Sequence, residues 1–92
     1  MAFQKDIMTD MGFNTTYHIL AAVHWYTIHK VVHIDIASYA SLEAFNNGMQ
    51  PVITRQFEFK DDKYPFSGDT ITTTEAYAVL KTAEMFHDAI EI

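Results

Sequence analysis

Two neighbouring segments in the first half of the chain alternate apolar and polar side chains with the period of two that is typical of β-strands. They cover residues 17–28 and 31–39 and are rich in Val, Ile, Tyr, Trp and Thr, which suit a pleated surface. If they form a hairpin that turns near His29 and Lys30, one register places the following side chains on a shared core face: Tyr17, Ile19, Ala21, Val23 and Trp25 with Val32, Ile34 and Ile36. The pattern therefore predicts an antiparallel pair of strands with one buried face.

A third strand is predicted over residues 51–59, after a connecting segment that includes a short helical turn at residues 40–45. The strand alternates between two sets of side chains: Ile53, Phe57 and Phe59 on one side, and Thr54, Gln56 and Glu58 on the other. Pro51 fits at its start, where a missing N–H breaks no ladder bond. Residues 60–69 are polar and rich in turn formers, and we expect a protruding loop there.

The clearest helix signal lies near the C-terminus. Thr72 is followed three residues later by Glu75, as in a capping box, which predicts that a helix begins here. Beyond this start, apolar side chains recur at helical spacing and form one stripe: Ala76, Val79, Leu80, Ala83, Phe86 and Ile90. The predicted fold class is α+β, with a three-stranded or slightly larger antiparallel sheet packed against a C-terminal amphipathic helix.

The first 13 residues show no sustained period, and we interpret residues 1–13 as an N-terminal arm followed by a single domain over residues 14–92. An ordered arm must bury its apolar side chains to offset the loss of backbone entropy, which suggests contacts with a neighbouring subunit. We therefore predict an interaction role for four residues: Ile7, Met8, Met11 and Phe13. The alternative is a frayed terminus.

Charge and cysteine content narrow the possible partners. Twelve acidic against six basic residues give a formal net charge of −6, which opposes nucleic acid phosphates and anionic lipids. We expect neither nucleic acid nor membrane as a partner. The chain has no cysteine, so disulfides and thiolate metal sites are excluded. The first residues lack the layout of a secretory signal, and we expect synthesis in a cytoplasm.

Histidines are the main candidates for chemistry, because the predicted hairpin places His18, His24, His33 and Asp35 on the face opposite the core. A site of two histidines and one carboxylate at His24, His33 and Asp35 is conceivable, and the alternative is separate, half-exposed strand residues. No nucleophile elbow is present and the three glycines are isolated, so no phosphate-binding loop is expected. We assign no catalytic, cofactor-binding or metal-binding residue and do not expect an enzyme.

Three pieces of the chain resemble small structural proteins encoded among the tail genes of tailed bacteriophages and prophages. They are Gly12 leading into Tyr17-His18, the pair Ser38-Tyr39, and residues 76–82 with Phe86 a few residues later. The similarity runs over residues 6–92. Proteins of this kind have a proline after the Leu-Lys-Thr sequence, whereas this chain has Ala83, so the helix is expected to continue.

The resemblance implies a non-enzymatic virion component, made in the host cytoplasm and located in the tail or baseplate region. Such a subunit or adaptor is expected to form a homo-oligomer, or to bind other virion proteins, through protein–protein contacts and without a cofactor. Two alternatives stay open. One is a small metal-binding or catalytic domain that uses the His24, His33 and Asp35 face, and the other is a host-directed phage binding protein.

Overall fold

Antiparallel strands in one sheet organise the protein, whose computed structural model describes residues 2–26, 30–60 and 71–92. Within these residues the sheet has five strands in the spatial order β4-β3-β2-β1-β5. Their bounds are β1 Phe3–Met8, β2 Asn14–Tyr26, β3 Val31–Tyr39, β4 Ile53–Lys60 and β5 Ile90–Glu91. The α+β class is confirmed, but the predicted three strands are too few, because β1 pairs with β2 and β5 pairs with the other side of β1.

The predicted arm over residues 1–13 is wrong, because Phe3–Met8 pairs with β2 on one side and with β5 on the other. Phe3 is fully buried and Ile7 packs against the core. Lys5 lies between them on the same face of β1. Because a charged residue occupies this inward position, the sequence does not show the alternation of apolar and polar residues that is typical of a strand. The domain therefore begins with β1, ahead of the predicted boundary at residue 14.

A β-bulge in β2 changes which of its side chains face the core. Leu20 pairs with Ile36, whereas Ala22 pairs with the next residue along β3, so Ala21 is the extra residue. An extra residue reverses the facing of every side chain on one side of it. The prediction is right for Val23, which packs against the core. It is wrong before the bulge, where Leu20 is the inward residue and the predicted core residues Tyr17 and Ile19 face the other side.

The core lies between the inner face of the sheet and the C-terminal segment. Its fully buried members include Ile34, Ile36, Val32, Leu80 and Phe86. Trp25 pairs with Val32 on the same face but stays 39% exposed, so it is a marginal core residue. The alternation of β4 is confirmed by its register with β3, which places Phe57 and Phe59 opposite Ile34 and Val32.

In the described part of the chain, two α-helices connect and cover the sheet: α1 Leu42–Asn46 and α2 Thr73–Leu80. The capping box of Thr72 and Glu75 is confirmed, because each side chain accepts a hydrogen bond from the backbone of the other residue. Helix α1 confirms the predicted helical turn and packs Phe45 against Tyr17 and Tyr39 on the outer face of the sheet.

The predicted amphipathic helix reaching Ile90 is not confirmed, since α2 ends at Leu80. The Thr82 hydroxyl donates to the Val79 carbonyl and Ala83 has an extended backbone, so the helix cannot continue. A 3-10 helix, Glu84–Phe86, then inserts Phe86 into the core. Ile90 lies in β5 and is exposed. Residues 27 and 28 of the first predicted strand, the predicted turn residue His29 and residues 61–69 of the predicted loop lie outside the described residues.

Candidate functional site

An apolar groove opens at the end of the sheet where the turn between β1 and β2 meets the start of β4. Its volume is about 560 Å³, and we call it the apolar groove. The lining residues are Thr9, Asp10, Met11, Phe13, Val52 and Ile53. Most of the lining side chains are apolar, and Asp10 is the one charged residue among the lining residues that the structure describes.

The β1–β2 turn points two large apolar side chains toward water. Backbone hydrogen bonds join Thr9 N–H to the Phe13 carbonyl at 2.8 Å and Gly12 N–H to the Thr9 carbonyl at 2.9 Å. The Thr9 hydroxyl also accepts from Phe13 N–H at 3.1 Å. Gly12 has a φ of +87°, which glycine adopts without strain. The turn is well hydrogen-bonded, yet Met11 is 83% exposed and Phe13 is 57% exposed.

The four predicted interaction residues have different environments. Ile7 is half-buried and packs against the core, so its role is structural. Met8, Met11 and Phe13 are exposed, and the last two line the apolar groove. Sequence reasoning missed Val52, which is exposed and also lines the groove. The consecutive apolar residues Val52 and Ile53 were a usable signal, because neighbours in an extended chain point to opposite sides.

Three of the four residues of the predicted histidine face, His24, His33 and Asp35, share the outer face, with His24 opposite His33 across β2 and β3. His24 Nε2 lies 3.9 Å from an Asp35 carboxylate oxygen, and His33 Nε2 lies 2.9 Å from one of Glu58. The hydrogen bond from His33 is the main cause that lowers the pKa of Glu58 below its usual value. Each histidine therefore has its own carboxylate partner.

Across residues 2–26, 30–60 and 71–92, no group of three or more His, Cys, Asp or Glu residues is arranged to hold a metal ion. Partly exposed ion pairs such as these contribute little to stability, about 0–1 kcal/mol. The face presents hydrogen-bonding groups to solvent rather than a ligand cage.

A different histidine, His18, is fully buried, although the sequence pattern placed it on the open face. The bulge at Ala21 turns it inward, where its Nδ1 lies 2.7 Å from the Ser38 hydroxyl and its Nε2 lies 2.8 Å from the Lys5 carbonyl. Arg55 donates to the same hydroxyl at 3.1 Å. A serine beside a histidine is the arrangement of a nucleophile and its base, but both side chains here are fully buried, which keeps any substrate away.

The chain matches no protein-family model, no curated protein and no solved structure. None of the helices in the described part of the chain is long and apolar enough to cross a membrane. The local geometry and the sequence resemblance are therefore the grounds on which a function can be proposed.

Proposed function

We propose that this protein is a non-enzymatic structural subunit that acts through protein–protein contacts in the tail or baseplate region of a phage virion. The observation that carries the proposal of a binding role is the apolar groove with its exposed Met11 and Phe13. The virion setting rests on the resemblance of residues 6–92 to small structural proteins encoded among phage tail genes.

The energetics of the groove favour a protein partner. Transferring a large apolar side chain from water into an interface yields about 1.5–3 kcal/mol, and Met11, Phe13, Val52 and the adjacent Met8 are all exposed. Aromatic residues and methionine are enriched at the centres of interfaces, with polar groups at the rim. Thr9 and Asp10 supply polar groups beside the apolar lining. A partner that covers this end of the sheet would gain most of its binding energy from these side chains.

The proposed partners are copies of the same chain, other virion proteins, or both. A homo-oligomer formed through one shared patch requires the patch to be self-complementary. Exposed apolar side chains such as Met11 and Phe13 can pack against their own copies without paired charges. The net charge of −6 sets a repulsion between copies that added salt would screen.

Light scattering across a concentration series tests self-association. We expect the parent protein to show a mass above that of a monomer, and Phe13→Ser to lower the mass at each concentration. Ile90→Ser is the matched control, because Ile90 is similarly exposed but lies in β5, away from the groove. A parent protein that stays monomeric, or two variants with the same effect, would reject self-association through the groove.

Mass spectrometry of purified virions tests the location. Peptides of this chain should copurify with intact particles from the source phage, at several copies per particle. Their presence only in the lysate of infected cells would reject the virion role and favour the host-directed binding protein.

A metal-binding or catalytic domain is the second candidate, because His24, His33 and Asp35 do share one face of the sheet. The two histidines lie beside different carboxylates: His24 is 3.9 Å from that of Asp35, and His33 is 2.9 Å from that of Glu58. A metal would have to draw both imidazoles away from these partners. Metal titration, described in the Discussion, separates this candidate from the structural subunit.

A further inference from the structure

Four strands are joined by one partly buried chain of hydrogen bonds, which we call the His18 chain. It runs from Arg55 on β4 through Ser38 on β3 and His18 on β2 to the carbonyl of Lys5 on β1. A carbonyl can only accept, so His18 Nε2 carries the proton and Nδ1 accepts from the Ser38 hydroxyl. The guanidinium of Arg55 is a permanent donor to that hydroxyl. With a neutral imidazole, the donors therefore all point the same way.

The His18 chain ends at an interruption in the ladder between β1 and β2. Gln4 pairs with Tyr17 and Ile7 pairs with Thr15, so β1 has an extra residue between these two pairs. Lys5 lies within the interruption, and its carbonyl is the acceptor for His18. The His18 side chain thus supplies a hydrogen bond at the position where the regular ladder between β1 and β2 is interrupted. The ring of Phe86 also lies near His18, with its centroid 5.4 Å from that of the imidazole.

The surroundings of His18 oppose a positive charge. Burial lowers the pKa of His18 below its usual value, and the nearby charges of Arg55 and Lys5 add to the effect, while the hydrogen bond to the Lys5 carbonyl acts in the opposite direction. The 3-10 helix contributes the uncharged ring of Phe86. The carboxylate that follows it, Asp88, is exposed and bound to the Lys5 ammonium group at 2.7 Å.

A proton on Nδ1 would also break the order of the hydrogen bonds. Protonated Nδ1 is a donor, so the hydroxyl proton of Ser38 would lose its acceptor in a fully buried position. A buried polar group without a partner destabilises the folded state. The protonated form of His18 is therefore compatible with this site only after the site has opened to water.

We infer that the His18 chain is an acid-sensitive latch that holds β1 on the sheet and releases it when His18 takes up a proton. Strand β1 is the element to move, because its ladder with β2 is short, whereas the ladder between β2 and β3, although it also contains the bulge at Ala21, extends along all of β3. Moving β1 removes the Lys5 carbonyl from Nε2 and admits water to the ring. It also uncovers Phe3, which is fully buried in the closed form.

The direction of the pH dependence follows from the lowered pKa. The opened or unfolded form binds a proton near the usual histidine pKa of 6.5, and the closed form binds it only at lower pH. The contribution of His18 to stability is therefore complete above about pH 6.5 and is lost as the pH falls below that value.

Urea unfolding at pH values between about 7.5 and 5 tests the latch. If the unfolded state binds one proton more than the folded state, the unfolding equilibrium constant rises by at most about tenfold for each unit by which the pH falls. We expect this rise below the unfolded pKa in the parent protein and in the control His24→Gln. In His18→Gln the amide can still donate to the Lys5 carbonyl but cannot titrate, so the rise should be smaller. An undiminished rise in His18→Gln would overturn the proposal.

NMR on the parent protein provides a second test that needs no variant. The ring signals of His18 should titrate below the usual histidine value, and the amides of β1 should lose hydrogen-exchange protection at higher pH than those of β3. Because intrinsic amide exchange also depends on pH, protection is expressed as the ratio of the intrinsic rate to the observed rate at each pH. A His18 ring that titrates normally, or simultaneous loss of protection in β1 and β3, would reject a local latch.

Discussion

Truncating Leu80 is the sharpest test of how the C-terminal helix docks on the sheet. Leu80 is fully buried in the cluster that contains Ile34, Ile36 and Phe86. Leu80→Ala removes apolar contacts and leaves a cavity, and such changes cost about 2–5 kcal/mol. A chain of 92 residues is expected to have a free energy of unfolding of about 5–14 kcal/mol. The substitution should therefore remove a large share of the total stability.

Urea unfolding followed by circular dichroism measures this loss. With a denaturant slope of about 1–3 kcal/mol per molar, the midpoint should fall by on the order of 1 M or more. Leu42→Ala is the matched control, because Leu42 has the same side chain in helix α1 but is 47% exposed. Surface substitutions usually change stability by less than about 0.5 kcal/mol. If the two variants share one midpoint, Leu80 is not packed as described.

Two further outcomes are expected from the contacts of individual side chains. Tyr77→Phe should lower the unfolding free energy by about 1–3 kcal/mol, because the Tyr77 hydroxyl accepts from Leu20 N–H at 2.8 Å beside the bulge of β2. The exposed Tyr26→Phe is its control in the same urea assay, and equal midpoints would contradict the role of the hydroxyl. Adding zinc or nickel should change the melting temperature little, because His24 and His33 lie beside separate carboxylates. A ligand raises the stability appreciably only when its concentration exceeds its dissociation constant for the folded protein. A rise of many degrees that His24→Ala abolishes would instead establish a metal site.

Local sequence signals predicted the elements that depend on near neighbours in the chain. The capping box needs only Thr72 and Glu75, three residues apart, and it is present as expected. The alternation of β4 and the pairing of β2 with β3 are also confirmed. Period-two alternation and N-terminal capping are properties of the local backbone, so they can be recognised before the fold is known.

The bulge at Ala21 could not be recognised in this way. Residues on both sides of it have similar β propensity, and only packing against α2 determines that Leu20 rather than Ile19 points inward. The burial of His18 follows from the same reversal. A single inserted residue exchanges the two faces of a strand without any change in composition.

The sequence alone determined the α+β class, the start of the C-terminal helix, and the presence of unpaired apolar residues near the N-terminus. Tertiary structure decided that these residues belong to a strand and turn within the sheet, and that Val52 joins Met11 and Phe13 at one groove. Val52 is far from both in the chain, and the antiparallel order of the strands brings them to the same end. A local pattern shows whether a segment has the period of a strand or of a helix. Which distant segments meet depends instead on the pairing energies of all strands in the sheet.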